Sequence, residues 1–293
     1  MLARSKAVAD TLRDSSRALL DDFLSAKSTQ SFSIDANRMT TLVSQASTRF
    51  TFYPGGFQRL TGAEVTGEVQ VQIKEVFRKS DMILTDLMTT SEDRLLESAG
   101  HFHIQASQEG IPLQLAIPIA VEMPLSAQVA NPLATRLFTG LFSNMFNATS
   151  NKLFDWGLLV NKSLKVRKIA GKKYYHFYIT DLKWFSCSHL HTRRALRTMV
   201  SARCVSAIED FEEQAAFIVF KNINSVARMY PNINRFTALH IPVNQAATII
   251  LIGFRQGEWF YGAHSMEKTS SQLVSVKVEP VIESQLIEYL RRL

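Results

Sequence analysis

Two short stretches carry residue types able to do chemistry. His101-Phe102-His103 sets two imidazoles two apart, and Cys187-Ser188-His189-Leu190-His191 sets a thiol and two imidazoles at the same spacing. On an extended strand, residues i, i+2 and i+4 share one side, so each stretch offers its candidate ligands to a single face. Zinc takes Cys sulfur and His nitrogen in a tetrahedral shell, which makes Cys187, His189 and His191 the candidate metal ligands. Same-face positions lie about 7 Å apart along a strand, and three in a line converge poorly on one ion. The spacing therefore favours a packed thiol with exposed histidines, unless another segment supplies a ligand. For His101 and His103, alternation sends Phe102, Ile104 and Ala106 to the core and both imidazoles outward.

Other reaction signatures do not appear. The chain has no nucleophile elbow, no phosphate-binding glycine loop and no zincin motif. Glu92, Asp93 and Glu97 read as a turn, and Glu209, Asp210, Glu212 and Glu213 as a solvated run. General acid–base work needs two such groups held across a cleft, which adjacency in sequence does not imply. No cofactor is implied.

The elements that must position these residues are mostly strands. Residues 2–26 form an exception: Val8, Leu12, Leu19, Leu20 and Phe23 fall on one side of an amphipathic helix. From about Ser31 the period becomes two, as in EVQVQIKEV, where Val69, Val71 and Ile73 oppose Gln70, Gln72 and Lys74. Leu133, Leu137, Leu141 and Met145 sit four apart, which fits a helix, but the aromatic, Asn-flanked context also fits a strand pair. Tyr175, Phe177 and Ile179 alternate again. AAFIVF and ATIILIGF are unbroken apolar runs, as expected of strands covered on both faces. FRQGEWFYG reads as a hairpin turning at Gln256-Gly257, and the basic run near Ala170-Gly171 as another. Ile282, Leu286 and Leu290 line one stripe of a terminal helix opened by Pro280.

Together these patterns predict a mainly β protein of two β-sandwich domains in tandem, with an N-terminal amphipathic helix and a short C-terminal helix. The expected boundaries are 1–30 for the helix, 31–127 for the first sandwich, 128–160 for a connector and 161–293 for the second β-rich domain. At 293 residues and 46% hydrophobic, the chain can bury cores for both. Cys187 and Cys204 either bridge in an oxidising compartment or remain thiols. No run of about 20 apolar residues offers a membrane span. The net charge of +7 permits anionic partners without requiring them. KSLKVRKIAGKK holds six of the cations, with Tyr174, Tyr175 and Trp184 nearby for a nucleic-acid reading, although no nucleic-acid module frames them.

GAEVTGEVQVQIKEVFRKSDMIL and TTSEDRLLESAGHFHIQA resemble an uncharacterised family of exported proteins from Bacteroidota. Its members carry a β-sandwich similar to the zona-occludens/netrin-receptor type. The likeness rests on Tyr53-Pro54-Gly55-Gly56-Phe57, Val65-Thr66-Gly67, Lys79 to Met82, Thr90-Ser91 and Leu95-Leu96-Glu97. It extends through Trp184 and Cys187, where Ser186 and Ser188 replace the family's Asn and Asp. Some related sandwiches cut themselves at a His-Phe-Ser step; here the third residue is His103, which has no hydroxyl for that acyl shift. The resemblance implies a fold and an envelope compartment but no reaction. It also makes Cys187 a core position.

The reading is thus a non-enzymatic cell-envelope or surface protein acting through protein or glycan contacts. Its alternatives are a metal-binding protein using Cys187, His189 and His191, and a basic nucleic-acid binder. The first 20 residues are too charged for a secretory signal core, so the expectation is either export after removal of a signal or a cytoplasmic protein.

Overall fold

The computed structural model describes residues 29–92, 94–125, 129, 131–142, 154–160, 164–191, 196–206 and 211–293. The N-terminal helix expected over 1–30 lies almost wholly outside them. The protein is mainly β, built from several sheets.

The described residues open with β1 (Thr29–Asp35), β2 (Thr40–Val43), β3 (Arg49–Phe52), β4 (Phe57–Gln58) and β5 (Glu68–Val76). Helix α1 (Lys79–Leu84) leads into β6 (Thr90–Ser91) and the long β7 (Arg94–Gln108). Then come β8 (Ile111–Pro112), β9 (Gln114–Leu115), β10 (Ile119–Pro124), β11 (Arg136–Phe142) and β12 (Phe154–Leu158). A hairpin of β13 (Lys165–Ile169) and β14 (Lys172–Ile179) precedes β15 (Trp184–Leu190). The remainder holds β16 (Arg197–Val205), β17 (Glu213–Phe220), β18 (Val226–Asn232) and β19 (Arg235–Pro242). It continues through β20 (Ala247–Arg255), β21 (Glu258–Met266), β22 (Gln272–Lys277), β23 (Glu279–Val281) and helix α2 (Glu283–Arg291).

The first sheet runs β1-β5-β7-β15-β11-β12, and the second runs β13-β14-β10-β3-β2. They share one core, in which Phe102 packs edge-on against Phe50 at 5.3 Å and stacks on Phe185 at 5.5 Å. The segment with Leu137 and Leu141 is β11, paired with β12, so the strand alternative holds there. The expected division at 128–160 and 161–293 does not coincide with the strand pairing. β14 joins β10, and β15 lies between β7 and β11, so the described strands up to Leu190, apart from the small β4-β9 pair, belong to the first two sheets. Local alternation identifies a strand but not its distant partner, which is why a sequence-based boundary missed this.

The third sheet, β22-β16-β19-β18-β17-β20-β21-β23, curls into a near-barrel. One stretch draws its two ends together. β22 pairs parallel with β16, and β23, one residue further on, pairs antiparallel with β21. The backbones approach so closely that a Cβ at Gly262 would lie 2.2 Å from the Lys277 carbonyl oxygen, so only glycine fits. AAFIVF and ATIILIGF become β17 and β20. Ile218, Phe220, Ile249 and Leu251 fill the barrel, while Phe217, Val219, Ile250 and Ile252 point out of it.

Those outward residues are not solvated. They meet Val76, Met82, Leu96, Phe138 and Trp156 of the first half, with Leu286 and Leu290 of α2, in a third core. Hydrogen bonds fix the register of this junction. Thr89 Oγ1 donates to the Val226 carbonyl and accepts from its N–H, at 3.0 and 2.8 Å. Asn224 Nδ2 donates to the carbonyls of Phe77 and Ser98, both at 3.0 Å, and Ser98 N–H returns a bond to Asn224 O. A buried apolar interface with satisfied polar groups couples the halves into one unit. Phe217→Ala is expected to cost about 3–5 kcal/mol by leaving a cavity at the junction. Calorimetry should show a single transition moving down as a whole, read equally by Trp156 in the first half and Trp259 in the barrel. Two separated transitions would contradict the coupling.

Candidate functional site

The histidines of β7 are placed differently from expectation. His101 and His103 do point away from Phe102 and Ile104, but that face is covered. His101 is fully buried, its ring stacked on Trp156 at 4.6 Å and 16°. Its Nε2 lies 3.4 Å from Ser98 Oγ, and Nδ1 has no hydrogen-bond partner among the described residues. Burial drives its pKa down to about 3, so the ring is neutral at physiological pH. His103 is half-buried, 5.0 Å from the Trp184 ring, with burial and the Lys74 charge both lowering its pKa. The junction is the physical reason: a strand face that would meet water in the first half alone here meets a second core.

Cys187 is buried in the first core, and burial pushes its thiol well above the ordinary range. Thiolate chemistry is disfavoured there. Both Cys187 and Cys204 are free thiols. His189 and His191 turn instead to a carboxylate, Glu97, with His189 Nε2 at 3.4 Å and His191 Nδ1 at 3.8 Å from the same oxygen. Among the described residues, no group of three or more His, Cys, Asp or Glu side chains is placed to hold a metal ion.

Glu97 is the residue that sequence reading misplaced. It is not in a solvated turn but buried within β7. A bulge decides which of the two covered faces Glu97 takes, and sets it opposite His189. Opposite β15, Cys187 pairs with Gly100 but Ser188 pairs with Ser98, so β7 carries one extra residue and its alternation changes phase. Gly100 has φ +146°, and a Cβ there would lie 2.4 Å from the Phe77 ring. That glycine, inside an otherwise alternating strand, was the available signal.

A cleft of about 320 Å³ opens nearby, between β18 and β19. These strands pair only through Tyr230–Asn232 and Arg235–Thr237, then diverge. The β6–β7 hairpin enters the fork, where Leu95 joins the barrel core. The remaining space is walled by Leu95, Met199, Leu239 and Ile241, with Tyr230, Asn232 and His240 supplying polar groups. Arg228 is also in the wall and is paired with Asp86. Mostly apolar walls with a few polar groups are the usual make-up of a small-ligand site. His240 stands at φ +58°, beside an irregularity where two residues of β19 oppose Met199 of β16. A non-glycine residue in this conformation stores about 1–2 kcal/mol. Sequence gave no warning of the cleft, because strand divergence is a property of two distant segments.

No protein-family model matches this chain, and comparison with curated proteins finds no match. No helix among the described residues is long and apolar enough to cross a membrane.

Two outcomes follow from the geometry. The folded pKa of His101, about 3, lies below its ordinary 6.5, so the unfolded chain binds the extra proton between those values. Stability from this residue is full above pH 6.5 and is lost as pH falls, by up to about 1.4 kcal/mol per pH unit. His101→Phe keeps a ring on Trp156 but cannot protonate, so denaturant titrations from about pH 6 to 4 should show a flatter slope than the native protein. Separately, His240→Gly should raise stability by up to about 1 kcal/mol through relief of the positive φ.

Proposed function

We propose that this chain is a non-catalytic contact module of the bacterial cell envelope that holds a glycan at the cleft between β18 and β19. The first two sheets fit the sandwich that the resemblance to the zona-occludens/netrin-receptor type implies. In that respect the tandem arrangement becomes a sandwich followed by a curled sheet.

The single observation carrying the reading is the cleft itself: a saccharide-sized space whose wall includes a strained, exposed His240. Strained backbone persists where the surrounding structure enforces it, and such positions cluster at binding sites. A pyranose presents apolar C–H faces and hydroxyl edges. Tyr230, Met199 and Leu239 suit the former, while Asn232 and His240 suit the latter. The fused junction favours recognition by a preformed site, since it leaves little freedom between the walls.

A glycan array probed with the whole chain should show saturable binding to a narrow set of saccharides. Asn232→Ala should weaken it about tenfold, the effect of losing one or two buried hydrogen bonds. Met39→Ser, at an exposed position remote in the strand order, should leave it unchanged. Absence of saturable glycan binding would overturn the assignment. A polypeptide trapped by a photo-crosslinker at Leu239 would transfer the cleft to a protein partner.

A further inference from the structure

The outer face of the second sheet carries a row of ionisable residues that the cleft does not involve. Register places Lys165 opposite His176, His176 opposite Glu122, and Glu122 opposite Arg49, so all four share one face across β13, β14, β10 and β3. Arg167 and Tyr174 form the next row, and Tyr178 flanks the other side with its ring edge-on to His176 at 5.2 Å. Glu122 is committed to Arg49, whose Nε donates to it at 3.1 Å. Its other oxygen lies 3.6 Å from His176 Nδ1.

His176 is the unusual member. Its side chain is only 5% exposed, yet neither ring nitrogen has a hydrogen-bond partner among the described residues. A buried polar group left this way costs free energy unless something completes it. Lys165 and Arg167 lie close enough to depress its pKa, after burial itself, while Glu122 opposes them. Neither cation has an acidic partner among the described residues. The charges of β13 also discourage edge-to-edge pairing, which accounts for cations there but not for the incomplete histidine.

We propose that this face binds a phosphate or sulfate ester, held by Lys165 and Arg167 above the buried ring of His176, whose protonation adds a positive charge beneath the anion. Glu122, itself fixed by Arg49, orients the ring and supports the imidazolium when the anion is present. Arg167 supplies forked donors suited to an oxyanion, and Lys165 a point charge. The ligand brings negative charge to a row whose free groups are positive, so binding and protonation of His176 reinforce each other. Tyr175 and Trp184, which lie near the basic run in sequence, take no part: Tyr175 is in the first core and Trp184 is on the other sheet.

The test uses the whole chain titrated with inorganic sulfate, whose charge is constant over the pH range, while the His176 ring nitrogens are followed by NMR. Saturable shifts are expected, with affinity at about pH 5.5 roughly tenfold tighter than at about pH 8. Lys165→Gln with Arg167→Gln should weaken binding at least about tenfold. His176→Gln should retain weak binding but lose the pH dependence. Arg235→Gln on β19 with Lys268→Gln in the β21–β22 loop removes equal charge elsewhere on the molecule and should change affinity less than about twofold. Flotation with phosphatidylglycerol vesicles, lost in the Lys165/Arg167 double variant, would assign the ester to a lipid headgroup; sulfate binding without flotation would assign it to a soluble ligand. Shifts that do not saturate, or an equal loss in the Arg235/Lys268 control, would overturn the site.

Discussion

One strand, β7, must satisfy three cores at once, and the architecture follows from that constraint. Phe102 and Ile104 pack between the first two sheets, Leu96 enters the junction, and Leu95 reaches into the barrel. A strand buried on both faces cannot tolerate a shift of register, because a one-residue slip would exchange every side chain between environments. The bulge at Ala99 and Gly100 absorbs the single change of phase that these demands require. Its neighbours then inherit unusual surroundings: His101 becomes a neutral ring against Trp156, and Glu97 an interior carboxylate facing two histidines.

The barrel is matched to β7 by the same logic. Its β17 and β20 are apolar on both sides because one side lines the barrel and the other lines the junction. Closing the barrel tightly between β18 and β19 would leave no room for the β6–β7 hairpin. The fork, and with it the cleft, is the geometric consequence of inserting one half of the molecule into the other. Binding sites at such seams are common because neither half needs to sacrifice its own core to make one. The second sheet has a different situation. Its outer face carries the charged row across β13, β14, β10 and β3.

Much of this fold was legible along the chain. Alternation marked β5 and β14, the Gln256-Gly257 and Ala170-Gly171 turns close hairpins with positive φ at both central residues, and the two unbroken apolar runs announced strands covered on both faces. Each of these signals acts within a few residues, through pleat and turn geometry. The placement of Cys187 in a core was likewise readable. The candidate site was not: Tyr230 and His240 are ordinary residues until β18 and β19 diverge around a hairpin more than 100 positions earlier in the chain.

What the residues determined by themselves was therefore the class of structure and the inward or outward choice at most positions. Tertiary structure decided which outward faces meet water. His101 is buried because another half of the molecule covers it, β13 to β15 belong to the first sheets because their partners lie far upstream, and Glu97 faces two histidines because a bulge changed the phase of its strand. Side-chain alternation is a local property of the backbone, whereas strand pairing and the covering of a face depend on distant segments whose meeting no short-range pattern encodes.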